Sequence, residues 1–238
     1  MSRQDKLKLL ELLEEKERRK KTRKLFSYYP DSGPLRRELY PKHLQFFKAG
    51  ADKKERLFMA ANRIGKTEGA GGYEMALHLT GLYPDWWQGK RFDRPISAWA
   101  AGDSSKTVKE IFQFKLLGKF TEFGTGLIPQ HLITKTTTKL GTAEAIDTIY
   151  VKHKSGGISE LALKSYDQRR ISFQGTEKDV IWLDEEPPLD IYIECLTRTM
   201  DTTGSGKQDG IIMLTFTPLM GMSETVLSFL QGGEIKED

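Results

Sequence analysis

Two short stretches carry residues whose types and spacing point to chemistry: Gly65-Lys66-Thr67 inside MAANRIGKTEGAGG (59–72), and Asp184-Glu185 inside DVIWLDEEPP (179–188). A Gly-Lys-Thr triplet where a strand hands over to a helix suits a phosphorylated ligand. Backbone N–H groups of the loop and first helical turn face the phosphates, the lysine ammonium reaches their outer oxygens, and the threonine hydroxyl takes one position around Mg²⁺. The cradle on this reading runs through Ala60, Ala61, Asn62, Arg63, Ile64, Gly65, Lys66 and Thr67. Gly65 lets the backbone approach a phosphate with no Cβ in the way. Ala60 stands where such loops usually begin with glycine, and alanine makes that turn provided φ stays negative. Three other Gly-Lys pairs, at 89–90, 118–119 and 206–207, are followed by neither Ser nor Thr. The alternative is an ordinary helix start with a solvated lysine, and the second stretch argues against it.

In that stretch adjacent carboxylates follow the wholly apolar run Val180–Leu183. Acids at the end of a buried strand repel one another and are costly to desolvate, unless a cation compensates. In a phosphate-loop ATPase, Asp184 is expected to hold the Mg²⁺ shell opposite Thr67 and Glu185 to polarise the attacking water. Glu186 and Asp190 read as solvated or capping carboxylates, and Pro187-Pro188 stop the strand. A competing reading makes Asp184, Glu185 and Glu186 a two-metal nuclease site. Such a site needs acids from several strands, and no other apolar strand in the sequence ends in one.

The elements that must position these residues alternate. Strands are expected at Arg56–Ala60, Ile96–Ala101, Val180–Leu183 and Gly210–Thr217. Helices are expected at Lys66–Leu79, Ser104–Leu117 (capped by Asp103 or Ser104), Asp190–Met200 and Ser223–Leu230. Short apolar strands separated by helices imply a mostly parallel sheet covered on both faces. Asp147–Lys152 and Ile158–Ser165 alternate apolar and polar residues around Ser155-Gly156-Gly157, which predicts an added antiparallel hairpin. Ahead of the turn-rich break at residues 29–34, Leu7, Leu9, Leu10, Leu12 and Leu13 mark an amphipathic helical arm. It either packs on the domain or a partner, or contacts DNA phosphates.

Composition bounds the rest. The 238 residues are 38% hydrophobic and 29% charged, as expected of a globular protein with one main domain. The net charge of +4 is uneven, since residues 1–26 hold ten Lys and Arg against five Asp and Glu. Cys195 is the single cysteine, so no intrachain disulfide forms, and His43, His78, His131 and His153 show no zinc spacing. Absence of a membrane-length apolar run or a signal peptide points to cytoplasm.

With both motifs located, the chain resembles the ATPase motor domain of tailed-bacteriophage large terminase subunits over about residues 40–230. The resemblance rests on AANRIGKTEGA, ALHLTGLYPDWWQGKRFDRP, AWAAGDSSKTV, KSYDQRRISFQGT, DVIWLDEEPP and LTFTPLMGMSE. It implies a RecA-like core, ATP with Mg²⁺ as fuel, and double-stranded DNA as cargo moved into a procapsid. It also implies a homo-oligomeric ring on a portal protein, a small terminase subunit as partner, no membrane, and action in the host cytoplasm with transient docking on the procapsid. LTFTP matches the family's coupling motif, so Thr215 and Thr217 are coupling candidates; otherwise they are core-strand hydroxyls. The adenine-reading position falls on His43, with Gln45 two residues on and Tyr40 available for stacking. The family's trans-acting arginine falls on Gln174-Gly175, which leaves Arg169, Arg170 or the loop's Arg63. Trp86 and Trp87 either pack or touch DNA. The expected organisation is an arm at 1–34, the ATPase domain at 35–231, and at 232–238 the start of a linker to a nuclease domain. The alternatives from other classes are a nucleotide-binding scaffold and a helicase-like translocase.

Overall fold

The computed structural model describes residues 3–21, 24–120, 122–138, 145–200, 210–219, 221 and 223–230. The expected linker at 232–238 lies outside them, as do the side chains at 17–23 in the basic stretch of the arm. In chain order the elements are α1 (Arg3–Lys21), α2 (Pro41–Ala49), β1 (Glu55–Met59), a widened turn (Lys66–Gly72) continuing into α3 (Tyr73–Thr80), β2 (Ser97–Gly102), α4 (Ser105–Val108), α5 (Phe114–Leu117), β3 (Ile133–Thr138), β4 (Ile146–Lys152), β5 (Ile158–Ser165), β6 (Val180–Asp184), α6 (Leu189–Arg198), β7 (Ile211–Phe216) and α7 (Glu224–Ser228).

One seven-stranded sheet runs β1-β7-β6-β2-β5-β4-β3. The pairs β1/β7, β7/β6, β6/β2 and β2/β5 are parallel, and β5/β4 and β4/β3 are antiparallel. The mostly parallel α/β class expected from the sequence is therefore present. The β4–β5 hairpin is not an appendage, because β5 pairs in parallel with β2 and so extends the main sheet. Two elements were not read from the sequence: α2, hidden by its opening Tyr40-Pro41, and the edge strand β3, whose ITKTTT has no apolar alternation.

Side-chain alternation explains the wholly apolar strands. Val180 and Trp182 of β6 join one core, with α3, while Ile181 and Leu183 join the other, with α6 and α7. Both faces are covered, so no residue of the strand can be polar without a partner. Arg56 in β1 is buried and has one: its guanidinium pairs with fully buried Glu74 of α3 at 2.8 Å, fixing β1 against that helix. Ser104 is the cap of α4, accepting from Thr107 N at 3.2 Å. The residues read as an arm are not uniform. Leu25 and Tyr29 are core residues, each 2% exposed, whereas the five leucines of α1 are 47–59% exposed and so do not pack on the domain.

The widened turn behind the triplet carries glycine at 69, 71 and 72, an unfavourable composition for a helix. Close neighbours explain it: a Cβ on Gly69 would press on Tyr29 and His43, and one on Gly71 would overlap the indole of Trp182, which is also held edge-on by Phe112 at a centroid distance of 4.5 Å. With no slack on either side of the ring, Gly71→Ala is expected to destabilise the protein by about 1–3 kcal/mol. Denaturant unfolding of the variant measures this, and an unchanged midpoint would contradict the packing.

Candidate phosphate and metal site

Parallel pairing sends the C-terminal ends of β1, β7, β6, β2 and β5 to one edge of the sheet, the edge where open α/β sheets bind ligands. The loop 60–65 leaves β1 there, Thr217 leaves β7, and Asp184-Glu185 end β6. Because β7 lies between β1 and β6, its end touches both neighbours. The loop keeps its shape through Gly65, whose φ of +88° begins the turn, and whose carbonyl accepts from Gly69 N at 2.7 Å and Ala70 N at 3.0 Å. Ala60 N donates to Phe216 O at 3.3 Å, so Ala60 extends the β1–β7 ladder where glycine was expected. Ala60 is not among the residues with positive φ.

Lys66 Nζ donates to Ala61 O and to Thr217 Oγ1, both at 2.7 Å. The Thr217 hydroxyl also lies 2.9 Å from Ala60 O and 2.8 Å from Asn62 Oδ1. Thr67 Oγ1 stands 3.1 and 3.0 Å from the two Asp184 carboxylate oxygens, and Thr215 Oγ1 donates to Asp184 Oδ1 at 2.6 Å while accepting from Trp182 Nε1 at 2.7 Å. The structure thus gathers Lys66, Thr67, Asp184, Thr215 and Thr217 at one edge of the sheet in two adjacent hydrogen-bonded sets, Lys66 with Thr217 and Thr67 with Asp184 and Thr215. Glu185 follows, half-buried, with a φ of +61°. Arg63 in the loop has a φ of +67°. Left-handed backbone at non-glycine residues costs on the order of 1–3 kcal/mol each, and both strained residues flank the network.

Burial dominates the electrostatics. It pushes the Asp184 carboxyl up to about 7, against hydrogen bonds from Thr215 and Thr67 that favour the anion. It lowers the Lys66 ammonium, against the attraction of Glu185 and Asp184. Both shifts have desolvation as their main cause and disfavour the charged forms. Hard oxygen donors from Thr67 and Asp184 suit Mg²⁺, which takes only one or two protein ligands and leaves the rest to phosphates and water. Among the described residues no group of three or more His, Cys, Asp or Glu side chains is placed to hold a metal alone, and Asp184, Glu185 and Glu186 form no such cluster.

Beside the loop lies a cavity of about 560 Å³, lined among others by Tyr40, His43, Arg63, Ile64 and Gly65. Gln45 is exposed and does not line it. His43 has both ring nitrogens engaged, Nδ1 with Tyr29 Oη at 2.6 Å and Nε2 with Ile64 O at 3.1 Å, and Tyr29 Oη also donates to Gly69 O at 2.7 Å. This pair braces the loop from behind. Glu68 is bound by Lys24, Lys115 and, at 2.6 Å, the Tyr28 hydroxyl. Burial alone would raise the Glu68 carboxyl, yet these three donors hold it at about 2.

The remaining candidates stand further out. Arg169 is exposed with a φ of +61°, and Arg170 Nε bonds Glu194 Oε2 of α6 at 2.9 Å. Trp87 is buried, and Trp86 is half-buried beneath the Arg37 guanidinium at 5.3 Å, so both pack. Sequence reasoning missed Trp182, Tyr29 and Tyr28. The available signal was the glycine run 69–72: a helix that forgoes side chains at three of four positions has a flat neighbour.

In protein free of nucleotide and metal, the raised Asp184 carboxyl sets the sign of a pH effect. Between the unfolded value near 4 and the folded value of about 7 the native state binds the extra proton. Stability from this group is therefore full below pH ~4 and is lost as pH rises through ~7, by at most about 4 kcal/mol. Urea unfolding at several pH values should show Asp184→Asn lacking that decline, and parallel profiles would contradict it.

The N-terminal model of the T4likevirus-type terminase large subunit matches residues 57–236. The large terminase subunit of Salmonella phage P22 is 38% identical, over 97% of this chain and 47% of the relative, so the chain spans about half the relative's length. Among solved structures, a mutant large terminase ATPase domain of Thermus phage P74-26 superposes with a TM-score of 0.53 at 18% identity, covering 84% of this chain and 77% of that one. The HK97 bacteriophage large terminase gives 0.49 at 16% identity, over 79% and 35%. The Thermus likeness supports the fold, and the family match together with the shared sequence establishes kinship: the chain belongs to the T4likevirus-type terminase large subunit family, in its N-terminal region.

Proposed function

We propose that this chain is the nucleotide-hydrolysing motor region of a large terminase, which binds MgATP between the tips of β1 and β6 and couples hydrolysis to moving double-stranded viral DNA into a procapsid. The observation that carries the reading is the approach of Thr67 to Asp184, 117 positions apart, at 3.0–3.1 Å with Lys66 beside them. Similarity to a P22 protein named as a large terminase subunit, and to a Thermus phage structure titled as an ATPase domain, supports it.

In this reading the loop N–H groups and Lys66 hold the β and γ phosphates, and Thr67 and Asp184 hold Mg²⁺. When bound, the ion neutralises phosphate charge and polarises the terminal phosphoryl group. Glu185 accepts a proton from the attacking water. Lys66 reaches the phosphates by leaving Ala61 O and Thr217, which frees the end of β7 to sense occupancy. Thr215 senses the same site through Asp184. Tyr40 and His43 face the base from the adjoining cavity. The assembly is a homo-oligomeric ring on a portal protein, fed by a small terminase subunit, in the host cytoplasm. No helix of the described residues is long and apolar enough to cross a membrane.

A neighbour's arginine completes each site; Arg170 is committed to Glu194 within its own chain, which leaves exposed Arg169 and the loop's Arg63, and Arg169 is the one tested. Two measurements test the function. Glu185→Gln should keep nucleotide affinity while phosphate release falls at least about 10²-fold; ATP bound but unhydrolysed by the wild type, with DNA and portal present, would instead favour a scaffold. Arg169→Ala should lose about 10³-fold or more in the assembled ring. Mixing it with a Lys66→Ala variant should restore part of that turnover, and no recovery would place the arginine elsewhere or in cis.

A further inference from the structure

Resting on the reading of Glu185 as the group that prepares water, we propose that Tyr166 is a positioning residue whose hydroxyl holds the Asp184–Glu185 backbone in its left-handed turn and so aims the Glu185 carboxylate. Tyr166 is the first residue beyond β5. Ser165 at the end of β5 pairs with Gly102 of β2, and Ala101 of β2 pairs with Leu183 of β6, so the ring reaches across β2 to the acidic tip. Its buried hydroxyl lies 3.1 Å from Asp184 O, 3.2 Å from Glu185 O and 3.3 Å from Ala101 O.

A regular strand points successive carbonyls to opposite sides. Here the carbonyls of residues 184 and 185 face one donor, which the φ of +61° at Glu185 permits. Their dipoles repel, and the single Tyr166 proton offsets that repulsion. Removing it leaves converging buried acceptors without a donor, and the backbone relieves them by rotating about the N–Cα bond of Glu185, which changes its φ and re-aims the carboxylate.

The tyrosine is held from outside the site. Ser165 N donates to Gln168 Oε1 at 3.1 Å, Ser105 N donates to Asp167 Oδ2 at 3.1 Å, and the hydroxyls of Ser105 and Ser165 lie 3.0 Å apart. The same segment continues into Arg169 and Arg170, the latter tied to Glu194.

Tyr166→Phe, Glu185→Gln and the double variant test the proposal. In Tyr166→Phe, kcat is expected to fall about 10- to 100-fold with KM and nucleotide Kd within about twofold, and in the Glu185→Gln background the same change should add less than about twofold. A crystal structure of Tyr166→Phe should show Glu185 out of the left-handed region, a readout independent of turnover. Unchanged kcat, a full multiplicative loss in the double variant, or a φ still near +61° would each overturn it. Full activity of Glu185→Gln alone would instead overturn the role given to Glu185 while leaving the backbone result to judge Tyr166.

Discussion

A carboxylate buried at the tip of an all-apolar strand is the constraint around which the rest of the molecule is arranged. Asp184 is 2% exposed, and the groups that reach it, Thr67 and Thr215, are neutral hydroxyls. Neutral donors soften the desolvation cost without cancelling it, so the carboxyl drifts up to about 7. Lys66, the nearest cation in the network, is bonded to Ala61 O and Thr217 and not to Asp184. An acid, an ammonium and a hydroxyl are thus held close without the ammonium pairing to the acid.

Such a site needs a stiff surround, and the surround is aromatic. The Trp182 indole lies against the glycines of the widened turn, meets Phe112 edge-on and donates to Thr215. One ring therefore fixes the phosphate-side helix, the β7 hydroxyl and, through it, the Asp184 carboxylate. On the other side Tyr29 and His43 tie Gly69 to Ile64 across the loop. Backbone strain falls on Arg63 and Glu185, whose left-handed φ values lie beside these braced groups. Strain at sparsely populated backbone conformations is held in place by such a packed surround.

The arm illustrates how far periodicity reaches. It places a helix at α1, which forms, but amphipathic pattern alone is silent on what the leucines meet, and in this chain they face solvent. Beyond the end of α1, Leu25 and Tyr29 enter the core, and Lys24 and Tyr28 bind Glu68 in the first turn behind the triplet. A segment read as an appendage thereby ends in contact with Glu68, directly behind the Gly-Lys-Thr triplet. The hairpin differs for a related reason: alternation identifies its strands but not the partner of the outer edge of β5, which is β2.

What the sequence determined by itself is local. Apolar runs bounded by turn residues specified β1, β2, β6 and β7, because a strand covered on both faces tolerates no unpartnered polar side chain. The triplet at a strand-to-helix junction and the acids after Leu183 marked two strand ends as a candidate site, and the structure brings those ends together. Strand order is what only the tertiary structure decided. That β7, last in the chain, inserts between β1 and β6, and so places Thr215 and Thr217 between the lysine and the acids, rests on inter-strand hydrogen bonds. Those bonds join backbone atoms common to every residue and leave no mark on neighbouring sequence. The same holds for Tyr166 and Trp182: each acts across strands that are remote in the chain, and each looks in sequence like any other core aromatic.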